Sequence, residues 1–406
     1  KGVMRNLSSY MDCINNTADL FAAWKEYWHR QDIGVGFDGV PTYTNTIKGV
    51  PHICMKVPTG GGKTFMACAA VKHILDEMPK DKHKVVVWLV PSDPILNQTI
   101  KTFSDINHPY RQKLEADFAG RVGVYTKEQL LNGHSFSPDT VREMLTVCIL
   151  SYGSLRIDSK KKDVRKVYQE NGNLLHFAEY FNDKEIRLAD TPDTALIQVL
   201  RHLSPVTIVD ESHNAGSELS VEMLNRLNPS FVLDLTATPR KNSNIISYVD
   251  ARELKKEHMV KLPVVVYNRT TRQSVIQDAI QLRGSIEQEA IAAEAVGGKY
   301  IRPIVLFQAQ PRTGDNSDTF DKIKAMLVSM GIPENQIAVK TSDVDDLKGQ
   351  NLMSRDCEIR YIITVNALKE GWDCPFAYIL ASLANRTSTV DVEQILGRIL
   401  RQPYAM

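Results

Sequence analysis

The chain has few cysteines and no pairing pattern among them: Cys13, Cys54, Cys68, Cys148, Cys357 and Cys374 stand apart, with no CxxC. That argues against a disulfide frame and a structural zinc site, and it fits a reducing, cytoplasmic setting. No apolar run approaches the roughly 20 residues that a membrane-spanning helix requires, so no membrane partner is expected. Net charge is only +1, so no global basic field announces nucleic acid, although a locally basic cleft can be offset by acids elsewhere. The opening stretch Lys1–Asn16 is polar, lacks an initiator Met and has no signal-peptide pattern, so the chain reads as a piece of something longer. What is left is the composition of an ordinary soluble globular protein, 43% hydrophobic and 24% charged over 406 residues. Its length suits about two or three domains, each with its own core.

One stretch is far from ordinary. Val57-Pro58-Thr59-Gly60-Gly61-Gly62-Lys63-Thr64 follows the apolar run Ile53–Val57 and opens onto Phe65–Leu75, which has helical spacing. A strand, a glycine turn and a helix N-terminus make a phosphate cradle, because backbone N–H groups and the helix dipole both favour negative charge. In that pattern Thr59, Gly60, Gly61 and Gly62 wrap the phosphates, Lys63 reaches the β- and γ-phosphates, and the Thr64 hydroxyl sits on Mg²⁺. Val57 stands where the first glycine of the usual pattern would be. The alternative is a glycine-rich left-handed turn before a helix.

Around this loop the chain alternates short β-branched runs with helical segments. Val85–Val90, Val122–Tyr125, Val147–Leu150, Val206–Val209 and Phe231–Leu235 read as strands, and Leu7–Trp28 is mostly compatible with helix. Such alternation predicts a parallel sheet covered on both faces. Ser159–Lys166 opens a charged insertion, about residues 155–203, and its basic run reads as a solvated face. Lys241–Lys261 reads as polar and helical, carrying the link to a second unit. There Val275, Ala279, Leu282, Ile286 and Ala290 line one face of a long helix, and the alternation restarts with Ile304–Phe307, Gln336–Val339, Tyr361–Val365 and Tyr378–Ala381.

Two further clusters carry chemistry. Ile208–Val209 leads into Asp210-Glu211-Ser212-His213, a buried strand ending in two acids. A carboxylate at a strand's carboxyl end faces the same crevice as a phosphate loop. Asp210 would hold Mg²⁺ while Glu211 polarises the attacking water, so Thr64, Asp210 and Glu211 form the metal-proximal set. Near the end, Gln394, Arg398 and Arg401 fall at i, i+4 and i+7 on one helix face, opposite Ile395, Ile399 and Leu400. Paired arginines one turn apart suit a phosphate fork, or else an ordinary charged surface.

In combination these features resemble superfamily 2 helicases. The phosphate loop, Asp-Glu-x-His, Thr236-Ala237-Thr238-Pro239 and Gln-x-x-Gly-Arg-x-x-Arg occur in that family's order, between about residues 53 and 401. Within the superfamily the chain is most similar to the helicase (Res) subunit of type III restriction enzymes and their DEAD/DEAH relatives. The loop itself and Ala367-Leu368-Lys369-Glu370-Gly371-Trp372-Asp373 are the nearest pointers.

The resemblance implies an α/β fold of two tandem RecA-like P-loop NTPase domains, about residues 1–245 and 255–406, the second truncated at its C-terminus. It implies ATP and Mg²⁺ in the crevice between them. Lys63 and Thr64 would bind phosphate and metal, Asp210 the metal, and Glu211 would activate water. His213 and Gln394 would connect the lobes, Arg398 and Arg401 would act as arginine fingers, and Gly371 and Asp373 would sense the nucleotide ribose and the strand. Ser92, Gln98, Ser151 and Thr364 lie where relatives touch the nucleic-acid backbone.

The implied function is an ATP-dependent helicase or translocase moving along nucleic acid, DNA in preference to RNA. A methyltransferase or nuclease domain or subunit would be its partner. Two departures limit that carry-over. Relatives place a Tyr-Gln pair ahead of the first domain to read adenine, whereas Tyr10 is followed by Met11, and no PD…(D/E)xK nuclease set is found among these residues. An RNA or DNA-repair helicase unrelated to restriction, and an ATP-operated binding switch with little turnover, remain open on the residues alone.

Overall fold

The computed structural model describes the chain except residues 1, 38, 59, 80–82, 157–165, 182–185, 213–217, 250, 262–263, 311–318, 342, 366–373, 384–398 and 405–406. The chain divides into two compact units, residues 1–58 with 62–249, and 59–61 with 250–406.

The first unit is built on seven strands: β1 (His52–Lys56), β2 (Val85–Val90), β3 (Val122–Tyr125), β4 (Leu145–Ser151), β5 (Val206–Asp210), β6 (Phe231–Thr236) and β7 (Ile245–Tyr248). They pair side by side in the order β3-β4-β2-β5-β6-β1-β7, every pair parallel. Continuous β-branched runs explain this choice. All six residues of Val85–Val90 are buried, as expected of a central parallel strand covered on both faces. One face packs Val85, Val87 and Leu89 of β2, Cys148 and Leu150 of β4, and Val209 of β5 against Val167, Leu174, Phe177 and the helix Leu196–Leu203. The described part of the charged stretch therefore supplies apolar side chains to this core.

Two differences from the sequence reading have simple causes. Lys241–Lys261 is not helical throughout: Ile245–Tyr248 forms β7 at the sheet edge, and only Ala251–Lys256 is helix. Four residues are too few for a period to stand out, and pairing with β1 decides the conformation. Leu7–Trp28 is two helices, α1 (Gly2–Asn16) and α2 (Leu20–His29), because Asp19 caps the second by accepting from the Ala22 N–H at 2.8 Å. Tyr10, at the position weighed for adenine reading, is fully buried, edge-on to Trp24 and Tyr27 with centroids 6.0 and 5.5 Å away.

The second unit carries β8 (Ile304–Gln308), β9 (Ile337–Lys340), β10 (Tyr361–Thr364) and β11 (Ala377–Ser382), ordered β11-β8-β10-β9 and again all parallel. Val305, Phe307 and Ile363 face Ile276 and Ala279 of the long helix Arg272–Ala295, whereas Ile304, Leu306 and Ile362 face Phe376, Cys357 and Ile399. Ile276, outside the stripe read from sequence, is the deepest residue of that helix. The chain is thus an α/β protein with two parallel sheets, as its alternating pattern predicted. All six cysteines are buried and free. Among the described residues no helix is long and apolar enough to cross a membrane.

Candidate nucleotide site

Strand β6 lies between β1 and β5, with Lys56 opposite Thr236 and Asp210 opposite Leu235, so the carboxyl ends of all three come level. The glycine turn leaves β1 there, and the Val57 N–H donates to the Thr236 carbonyl at 3.0 Å. Gly60 and Gly62 take φ of +82° and +76°, a region that a Cβ disfavours. Helix α3 (Lys63–Asp76) starts immediately after Gly62, which has no side chain to cap it. Its first N–H groups therefore depend on another acceptor, which is the electrostatic basis of an anion site.

Across this edge the Lys63 ammonium donates to Glu211 Oε1. Lys63 is 10% exposed and Glu211 25% exposed, so the pair is partly shielded from solvent. Glu211 has φ of +49°, unusual for a side chain of its size, and its N–H bonds to Asp210 Oδ1 at 3.0 Å. That turn points the two consecutive acids differently: one lies against its own backbone and the other reaches Lys63. Burial, reinforced by the Glu211 charge, pushes the Asp210 carboxyl up to about 6, against the opposing pull of Lys63 and the Glu211 N–H.

Two side chains that the sequence reading passed over brace this edge. The Tyr152 hydroxyl donates to the Asp210 carbonyl, and burial with the charges of Asp210, Asp234 and Glu211 holds that phenol protonated. Arg240 donates to the Ser212 carbonyl. Lone residues after a strand carry no period or spacing that would reveal them.

The remaining candidates fall in several places. Thr64 lies half-buried in the first turn of α3. Ser92 precedes α4 (Asp93–Ser104), and its hydroxyl is buried with no hydrogen-bond partner. Gln98 is exposed on that helix, whereas the Ser151 hydroxyl, at the end of β4, bonds Ser154 at 2.9 Å. Thr364 ends β10 in the second unit, fully buried, its hydroxyl also without a partner. Arg401 does not lie on the expected helix face: it forms an antiparallel bridge with Val260, and that long-range pairing decides its conformation. Thr59, His213, Gly371, Asp373, Gln394 and Arg398 lie outside the described residues. The described geometry thus brings together Lys63, Asp210 and Glu211 beside the glycine turn.

The donor set fits a hard divalent cation. Thr64 and Asp210 offer oxygen only, in a number that leaves most of a Mg²⁺ shell to water and phosphate. Among the described residues no cluster of three or more His, Cys, Asp or Glu side chains suits a softer metal.

A parallel sheet whose first strand runs through a glycine turn into a helix, opposite a strand ending in acids, is the arrangement of P-loop proteins with RecA-like domains. More narrowly, the chain belongs to the family described as type III restriction enzyme, res subunit, which matches residues 11–241. Among solved structures it is similar to the ATP-dependent type ISP restriction-modification enzyme LlaBIII bound to DNA, with 12% identity over 87% of this chain and a TM-score of 0.49. A fragment of a putative HsdR subunit of a type I restriction enzyme from Vibrio vulnificus shares 14% identity over 88%, TM-score 0.45. The Mycobacterium smegmatis helicase Lhr bound to ssDNA and AMP-PNP shares 15% over 94%, TM-score 0.43. This chain spans 25%, 58% and 46% of those three chains. No curated protein matches it.

Proposed function

We propose that this chain is an ATP-dependent helicase or translocase motor that hydrolyses ATP to move along DNA, as the motor part of a type III restriction-like system. The observation that carries this reading is the Lys63–Glu211 pair beside Asp210 and the glycine turn. Family membership supports DNA as the track and restriction as the setting.

The chemistry follows from an exchange of partners. Lys63 neutralises Glu211 across the sheet edge. An incoming γ-phosphate competes for the ammonium and takes the free N–H groups of α3. Glu211 is thereby released to orient and polarise water for in-line attack. Mg²⁺, held by Thr64 and Asp210, would supply charge neutralisation on the phosphates when bound. Arg398 and Arg401 are the candidates for the positive charge that spreads the load of the transition state, and His213, Gln394, Gly371 and Asp373 for coupling it to the strand. Ser92, Gln98, Ser151 and Thr364 are the candidate backbone contacts, so binding should weaken with salt and depend little on sequence.

The test is steady-state ATP hydrolysis by the purified chain with no polymer, duplex DNA, single-stranded DNA or single-stranded RNA. Strong stimulation by duplex DNA is expected. Stimulation by RNA alone would replace the reading with an RNA helicase, and binding without turnover would replace it with a switch.

A further inference from the structure

We propose that Lys261 is a positioning residue that pins residues 399–401 and with them the backbone of Arg401, an inference that rests on the ATPase reading above. Its ammonium donates to three backbone carbonyls: Pro375 at 2.7 Å, Ala377 at 2.7 Å and Ile399 at 2.8 Å. It also lies 4.0 Å from the centroid of the Tyr378 ring. Pro375 and Ala377 flank the start of β11, whereas Ile399 precedes Arg401 by two residues. A single cation therefore ties the root of β11 to the residue two before Arg401.

The backbone makes the same connection. The Lys261 N–H bonds the Leu400 carbonyl at 2.6 Å, Val260 bridges Arg401, and the Gln402 N–H bonds the Met259 carbonyl at 3.2 Å. Residues 259–261 run antiparallel along 400–402 as a short strip. Taking an ammonium out of water is costly, and charge-assisted bonds offset that cost. An apolar side chain would cover Tyr378 without this cost. Convergence on three carbonyls is what the charge adds: it fixes where Ile399 sits, and with it the backbone from which Arg401 projects. Misplacing a charge-stabilising group by about 1 Å can cost on the order of 10²-fold in rate.

Lys261→Met keeps the stem and removes the charge. In the full chain it should lower kcat about 10-fold or more while affinity for a fluorescent ATP analogue stays within about twofold. Lys261→Arg should restore only part of the loss, since a planar fork cannot send three donors from a single nitrogen to three carbonyls. If the lysine acts through the arginine, Lys261→Met added to Arg401→Ala should cost less than about twofold more. Unchanged kcat, or losses that multiply in the double variant, would overturn the proposal. Amide exchange at Lys261 and Gln402 reads the clamp without reference to turnover: faster exchange in Lys261→Met supports it, and unchanged exchange overturns it. An unaltered chain that fails to hydrolyse ATP would remove the ATPase reading, with the exchange result still deciding the clamp.

Discussion

Lys63 and Glu211, 148 positions apart in the chain, form an ion pair at the carboxyl edge of the first sheet. Each neutralises the other, and on the proposed reading a phosphate would compete with Glu211 for Lys63, so changing either one should alter both binding and turnover.

Lys63→Ala should therefore abolish hydrolysis or reduce it by about 10²-fold or more, in the range for losing one preorganised stabiliser. A colourimetric phosphate assay alongside the unaltered chain decides it. Turnover at the parental rate would remove Lys63 from the site.

Arg398→Ala should leave nucleotide affinity nearly intact and lower hydrolysis by about 10³-fold or more, the scale of arginine fingers. Equilibrium binding and single-turnover hydrolysis separate the two effects. Equal losses in both would assign Arg398 to ground-state binding.

Asp210 should make stability depend on pH. Its carboxyl is raised from 3.8 to about 6 in the folded chain, so the stability contributed by its protonated form is present at acid pH and lost as pH rises through about 6. Asp210→Asn, measured without Mg²⁺, should raise the Tm relative to the parent above about pH 6. That gain should fade towards pH 4, and a gain independent of pH would contradict the assignment.

Asn244 should matter to folding rather than to chemistry. Its side chain accepts from the Thr44 N–H at 2.8 Å and donates to the Thr44 and His52 carbonyls at 2.9 and 2.8 Å, while 6% exposed. Asn244→Ala strands those groups and should cost about 2–3 kcal/mol, read as a lower midpoint in urea.

Every strand of the two sheets except β7 was legible because buried parallel strands are continuous apolar runs, of which Val85–Val90 is the plainest. The glycine turn and the two acids stood out for a different reason: as motifs they are made of neighbours in sequence. What stayed hidden depends on neighbours in space. Ile245–Tyr248 is a strand only because β1 lies beside it, and Tyr152, Arg240 and Lys261 act through backbone carbonyls far along the chain. No pattern in one sequence reports such partners. Two motifs placed Lys63 and Glu211 along one crevice, but their pairing was not legible and accompanies the left-handed turn at Glu211.

The strand order also bears on how the chain is made. The earliest-synthesised strand of the first sheet, His52–Lys56, pairs with Phe231–Thr236 and Ile245–Tyr248, the last two of that sheet. Strands β2 to β5 can assemble among themselves beforehand, but β1 and the glycine turn must wait until residue 236 has been synthesised for a first neighbour. At about 5–20 residues per second, that wait lasts on the order of 10 seconds or more. During it an apolar strand has both edges bare, a window in which premature self-association competes with folding and in which a chaperone would find its substrate.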